Sequence, residues 1–259
     1  MQPDIPALPD GFRSLFFETV TSTNELAKEG ARAGEPTGLW VRAGRQESGR
    51  GRQGRQWVSP PGNLYASLLL VEPALPGTIG QLPLVVALAV HDAVSAILPP
   101  MLRPALEIKW PNDLLHDGAK LCGILIEGEK VAAGQAIVIG IGLNLRHHPQ
   151  TAGYPATDLA ALGCPVTPEE MFAHLARAMA RRLAEWRSGG FAALREAWIS
   201  RARGLGLPIR VRMPRAEFEG VFEALDSEGH LLLRLADGRL ETVSAGDIFF
   251  ATGGAGVTG

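Results

Sequence analysis

Between Gly44 and Trp57 the chain sets glycine before arginine four times, at Gly44-Arg45, Gly49-Arg50, Gly51-Arg52 and Gly54-Arg55. Glycine lets a backbone approach a phosphate closely and turn its N–H groups inward. Arginine adds a rigid fork of donors for carboxylate or phosphate oxygens. Such a loop is expected to be mobile when empty and to order around an anion. No Gly-Lys-Ser/Thr follows, so it is not a P-loop, and no βαβ unit frames it as a dinucleotide fingerprint. On composition alone it could equally be a flexible cationic surface loop or an RNA-tethering tract.

A second segment, Glu107-Ile-Lys109-Trp110-Pro111-Asn112-Asp113, reads as a strand that must stop, because proline lacks a donor and Asn-Asp favours a turn. Either it is a plain strand end with an Asx turn, or Lys109 and Asp113 line a cleft in which the carboxylate can hold a divalent cation. In Lys120-Leu-Cys122-Gly123-Ile124-Leu-Ile-Glu127, strand alternation predicts Lys120, Cys122 and Ile124 on one face. Lys120 is then either a solvated residue at the strand mouth or a cation aimed at a ligand. Gly123 leaves room for a ligand or a neighbouring backbone. The small residues of Ile139-Gly-Ile-Gly-Leu-Asn144 either belong to a plain core strand or make the same kind of room. Arginine outnumbers lysine twenty-one to four, yet two of the four lysines, Lys109 and Lys120, fall in this one region.

These segments need elements to position them. Phe12 to Glu18 reads as a first strand. Ser22-Thr23-Asn24-Glu25 opens a helix to about Ala33, with Ser22 and Glu25 spaced as a capping box and Gly34 closing it. Leu39 to Ala43 is a short strand, Asn63 to Val71 a buried one, and Thr78 to Leu98 a long apolar helix packed over most of its surface. Strands near 105–110, 119–127 and 134–143 follow, with turn dipeptides at Asp117-Gly118 and Glu127-Gly128 predicting hairpins. After a loop from Arg146 to Thr157, two amphipathic helices are expected at about 168–187 and 191–203. Met171, Leu175, Met179, Leu183 and Trp186 recur at helical spacing and are core. Gly204 to Pro208 breaks the pattern. From Ile209 the period is two, in Ile209–Met213, Phe218–Ala224, Leu231–Leu235, Glu241–Val243 and Ile248–Ala251, which predicts a small β-barrel-like module. The fold class is therefore α+β, with a mixed or antiparallel sheet rather than a doubly wound one.

Composition narrows the function classes. With 46% apolar and 20% charged residues, the chain is an ordinary globular one. The net charge of −2 supplies no global field for nucleic acid or an anionic membrane. From Leu205 onward five basic residues face eight acidic ones, a poor surface for RNA or DNA. The longest apolar run, Leu82 to Val90, stops at His91-Asp92, short of the ~20 residues a bilayer span needs. The start, MQPDIPALPDGF, has no basic-then-apolar leader pattern. Cys122 and Cys164 alone make neither a disulfide framework nor a zinc cluster. The expected location is cytoplasmic.

Taken in order, Thr21-Ser22-Thr23-Asn24, Gly49-Arg-Gly-Arg-Gln-Gly-Arg55 with Trp57, Lys109-Trp-Pro-Asn-Asp113 and Lys120-Leu-Cys-Gly-Ile-Leu125 resemble the biotin protein ligases. The similarity runs from about Glu18 to the C-terminus. It implies a class II synthetase-like catalytic domain over residues 1–205, followed by an SH3-like β-barrel over 206–259. The first strand begins near Phe12, leaving no room for the winged helix-turn-helix of the regulatory members, so the chain looks monofunctional, with no DNA partner. The family joins biotin and ATP into biotinyl-AMP and passes biotin to a lysine of an acceptor, a biotin carboxyl carrier protein. Matched residue by residue, Ser22, Thr23, Asn24 and Gln46 resemble biotin-pocket residues, and Arg50, Gly51 and Arg52 the loop that folds over biotin and the adenylate. Lys120 resembles the lysine that contacts the reacting carboxylate and α-phosphate, so Lys120 and Arg52 are the expected catalytic pair. Lys109, Asn112, Asp113 and Asn144 resemble nucleotide-side residues, with Mg²⁺ near Asp113. Cys122 stands where the family has small residues and reads as packing. Homodimers are common among relatives, though no interface signature is visible. Lipoate ligases and octanoyltransferases share the architecture, but the Gly-Arg loop and the Lys-Trp-Pro-Asn-Asp motif argue against them.

Overall fold

Apolar alternation in the N-terminal half builds one mixed sheet. The computed structural model describes residues 7–71, 78–132, 134–150, 153–213 and 216–250. Strand β1 (Arg13–Val20) pairs in parallel with β2 (Leu39–Gln46), and helix α1 (Thr23–Arg32) is the crossover between them. Then β2, β3 (Leu64–Val71), β7 (Gly134–Leu143), β6 (Ala119–Val131), β5 (Asp113–His116) and β4 (Leu106–Lys109) follow as antiparallel neighbours, giving the order β1-β2-β3-β7-β6-β5-β4.

The two faces of this sheet are filled differently. On one, Ala27 and Ala31 of α1 pack on Leu39, Val41, Leu69, Ala136 and Val138. On the other, α2 (Leu82–Ile97), α3 (Pro168–Gly189) and α4 (Ala192–Ile199) cover Ala66, Leu68, Leu70, Ile137, Ile139 and Ile141. This accounts for the unbroken apolar run in β3: its even residues enter one core and Leu69 the other. Helix α2 belongs to a segment, Ile79–Ile97, long and apolar enough by length and composition to cross a membrane. Here eleven of its sixteen α-helical residues are buried in the protein core.

Several local expectations are corrected. Ser22 is extended and buried but makes no capping bond, and Glu25 turns away to Lys28. The capping box lies instead at Thr167 and Glu170, opening α3. Asp117 and Gly118 do form a turn, both at positive φ, but it joins β6 to the short strand β5, which begins inside the motif read as a strand stop. Glu127-Gly128 is not a turn: β6 stays paired with β7 as far as Val131, and the Glu127 side chain bonds to Asn24 and Lys28. Helix α4 stops at Ile199, since the backbone at Arg201 and Arg203 bonds to both sides of Ile108 on edge strand β4.

The C-terminal strands are β8 (Pro208–Arg212), β9 (Glu217–Leu225), β10 (Leu231–Arg234), β11 (Leu240–Val243) and β12 (Asp247–Phe250), in the order β11-β10-β9-β8-β12. The expected barrel is not formed, because β11 and β12 stand at opposite edges and no sheet closes. Residues 244–246 join these edges, a span of at most about 14 Å, so the sheet is strongly curled yet open. Its apolar face, including Val211, Phe222, Leu231 and Leu233, merges with the main core, where Phe222 meets Trp198 of α4 at 6.5 Å. The expected end of the last strand at Ala251, and residues 252–259, lie outside the described residues.

Candidate active site

A cleft opens on the α1 side of the large sheet, and glycines make its floor. Gly123 of β6 faces Gly142 of β7 across the ladder, and Gly140 lies two pairs further on, opposite Leu125. A Cβ at Gly140 would stand 2.2 Å from Asn24 Oδ1, and one at Gly142 would stand 2.4 Å from the Trp57 indole nitrogen. Both strands thus give up side chains so that Asn24 and Trp57 can lie flat against them.

The end of α1 nearest this floor carries a connected polar network. The Thr23 backbone N–H and hydroxyl both donate to Gln46 Oε1, at 2.9 and 3.1 Å, and Gln46 Nε2 donates to Ser59 Oγ at 3.0 Å. Ser67 Oγ, on β3, lies 2.7 Å from Thr23 Oγ1 and 2.6 Å from Asn24 Oδ1. Asn24 Nδ2 donates to Glu127 at 2.7 Å, and Lys28 bridges Glu127 and Glu25. Burial would raise the Glu127 pKa, but the bonds from Lys28 and Asn24 outweigh it and hold the carboxyl below its usual range. Two hydroxyl protons, those of Thr23 and Ser67, serve three oxygen–oxygen contacts. The network therefore accepts one further donor.

The Gly-Arg loop is a small folded hairpin. Trp57 N–H donates to the Gly49 carbonyl at 2.8 Å and Gly51 N–H to the Arg55 carbonyl at 2.7 Å, with Gln53 at φ +56° inside a 3₁₀ turn. Its arginines are tied outward, Arg50 to Glu25 and Arg55 to Asp247. Arg52 donates to Asn112 Oδ1 at 3.1 Å and to the Gly246 carbonyl at 3.0 Å.

Lys120 sits where the loop meets the sheet. The predicted alternation fails here, because the β5–β6 register shifts between Leu114 and Leu115. Cys122 and Ile124 enter the core, where burial pushes the Cys122 thiol up, while Lys120 turns into the cleft. Its ammonium pairs with Asp113 at 2.8 Å and lies 5.6 Å from the rings of Trp57 and of Tyr154.

Of the expected site residues, Ser22, Thr23, Asn24, Gln46, Arg50, Gly51, Arg52, Asp113 and Lys120 line this one cleft. Asn144 lines an adjoining cavity with Pro149, Tyr154 and Ala156, and donates to the Thr157 carbonyl at 3.0 Å. Asn112 and Lys109 stand behind the cleft. Asn112 is buried between Arg52 and the Ile124 carbonyl. The Lys109 ammonium lies over Phe249 and Phe250, its pKa pushed down by burial. Among the described residues no group of three or more His, Cys, Asp or Glu could hold a metal. Sequence reasoning missed Ser67, whose signal was a single polar residue inside a doubly buried strand. It also missed Asp247, for which a distant β module offered no signal.

Comparison with known proteins agrees with this geometry. Residues 16–144 match the biotin/lipoate A/B protein ligase family, and residues 204–251 match the biotin protein ligase C-terminal domain. A biotin–acetyl-CoA-carboxylase ligase of Paracoccus denitrificans is 41% identical over 82% of this chain and 90% of that protein. The bifunctional ligase/repressor BirA of Bacillus subtilis is 31% identical over 91% of this chain but 73% of its own length. Among solved structures, the Aquifex aeolicus biotin protein ligase in complex with biotin and ATP superposes with a TM-score of 0.79 at 27% identity, covering 91% of this chain and 97% of that one. The chain belongs to the biotin protein ligases, and its activity is the ATP-dependent activation of biotin to biotinyl-AMP followed by transfer of the biotinyl group.

Proposed function

We propose that the cleft takes biotin, that the adjoining cavity takes the nucleotide, and that the two substrates react at Lys120. One observation carries this assignment: Lys120 and Trp57 line both cavities. A carboxylate entering from one side and an α-phosphate from the other meet at the Lys120 ammonium, which screens their repulsion as the acyl–phosphate bond forms and pyrophosphate leaves. Ser22, Thr23, Asn24 and Gln46, braced by Ser67, fit the ureido ring of biotin, whose N–H group is the additional donor that the network accepts. Arg50, Gly51 and Arg52 cover the adenylate, and Asn144 lies on the nucleotide side. Asn112 acts by holding Arg52. Lys109 adds positive charge behind the cleft.

Asp113 lines the cleft with its carboxylate paired to Lys120, and one such carboxylate suits Mg²⁺ arriving with the triphosphate, since this ion is commonly held by one or two carboxylates plus phosphate oxygens. When bound, the ion would neutralise charge on the departing pyrophosphate. The acceptor in this reading is a lysine of a biotin carboxyl carrier protein. Two free, buried cysteines support a reducing, cytoplasmic setting. Residues 1–205 are read as the catalytic unit and 206–259 as its accessory. A lipoate or octanoate activity is disfavoured by the match at 204–251 to a biotin-specific domain.

The test is pyrophosphate release with Mg-ATP and biotin, with lipoate and octanoate in parallel. Lys120→Ala should lower biotin-dependent release about 100-fold or more while circular dichroism stays unchanged. Unchanged release by the folded variant would remove Lys120 from the chemistry.

A further inference from the structure

The Gly49–Arg55 loop is anchored by an element far from it in sequence. The Asp247 carboxylate, 16% exposed, holds the Arg55 guanidinium and lies 3.8 Å from that of Arg52. Its neighbour Gly246 accepts a bond from Arg52 at 3.0 Å. Asp247 cannot drift, because it pairs with Arg212 in the β8–β12 ladder, and a Cβ on Gly246 would already stand 3.0 Å from the Arg212 carbonyl oxygen. Arg52 uses two of its five N–H groups on Asn112 and Gly246, which leaves donors for a ligand. Without the carboxylate, two like charges would face each other at the loop's base and repel.

We propose that Asp247 is a positioning residue: through Arg55 and Arg52 it sets where the loop closes, so that the C-terminal sheet takes part in retaining biotinyl-AMP. This rests on the reading of the loop as the cover of the adenylate.

Trypsin cleaves after arginine, so the loop reports its own exposure. Loop cleavage, escape of biotinyl-AMP without acceptor, KM for ATP and kcat, and thermal unfolding should be measured for the parent, Asp247→Asn and Asp247→Glu. In the parent, biotin with Mg-ATP should slow cleavage. In Asp247→Asn, cleavage of the liganded enzyme and adenylate escape should each rise about fivefold, the scale of one partly exposed ion pair. KM for ATP should rise more than kcat falls, and Asp247→Glu should restore most of the loss. Should Asp247→Asn fail to fold, Arg55→Gln on the exposed side of the same pair should give the same leak. Parent-like cleavage and escape in Asp247→Asn, or equal damage in Asp247→Glu accompanied by a matching fall in melting temperature, would overturn the proposal. If ligands do not protect the parent loop at all, the cover reading itself falls, and this proposal with it.

Discussion

At one end of the cleft Thr23, Asn24, Gln46 and Ser67 hold one another through short, mostly neutral hydrogen bonds, on backbone supplied by α1, β2 and β3. At the other end Arg50, Arg52 and Arg55 are held by groups on α1, on the turn between β4 and β5 and on β12, largely through charge and partly in contact with solvent. The first end is buried and its internal bonds are already made before a ligand supplies the one further donor, so its geometry is fixed by strand register. The second depends on exposed pairs, each contributing about 0.2–1 kcal/mol, so it can open. An enzyme that must admit two substrates, then keep a hydrolysable anhydride from water, needs both properties. Here they are divided between the two ends of one cleft.

The largest effect should come from breaking the rigid end. Gly140→Ala places a methyl where Asn24 Oδ1 now sits, and neither Asn24 nor the β-ladder around Gly140 can yield without parting Asn24 from Ser67 and Glu127. Overpacking costs about 1–3 kcal/mol in stability, and a misplaced binding group costs about 100-fold in rate. Biotin-dependent pyrophosphate release should fall by that factor, with biotin affinity carrying most of the loss. Near-parental affinity measured by calorimetry would show that the network is not the ureido site.

At the adaptable end, Arg52→Gly removes a guanidinium bonded to Asn112 and Gly246 and adds backbone freedom. Lost bonds to a charged group weigh about 1.5–3 kcal/mol. Biotinyl-AMP recovered from solution without acceptor should therefore increase about 30-fold, labelling lysines indiscriminately, while biotin affinity changes little. Release no greater than the parent's would show that the loop does not retain the adenylate.

The same division governs what the sequence could disclose. Motif residues contiguous in the chain, such as Thr23-Asn24 and Gly49–Arg55, were legible as a set that shares one cleft because their order along the chain resembles one family, whereas the residue types of each alone left alternatives open. The core was legible too, since β3 and α2 are apolar over their full length. What escaped were features decided by tertiary contact. Strand β5 hides in a motif that reads as a stop. Lys120 reaches the cleft through a register shift that no periodicity announces, and Glu127-Gly128 stays in a strand because β7 pairs with β6 as far as Val131. The open C-terminal sheet fell to the same cause: alternation reveals that strands exist but not whether the last meets its neighbour. Asp247 matters through where β12 lies, which its own sequence context does not encode.

Salt should separate the two ends with the smallest but cleanest effect. Raising sodium chloride from 0.05 to 0.5 M shortens the Debye length from about 14 Å to about 4 Å. Pairs such as Arg55–Asp247, with the arginine 57% exposed, are screened, whereas Ser67 and Asn24, at 0% and 4%, are not. Biotin affinity in the absence of nucleotide should stay within about twofold, while escape of preformed biotinyl-AMP rises about two- to threefold. The adenylate's own phosphate also feels salt, so the parent alone cannot assign the response. Asp247→Asn can, because it has already lost the pair being screened, and its salt response should be the smaller. A response as large as the parent's would place the sensitivity in the phosphate and leave the ion pairs around the loop without a part in holding it.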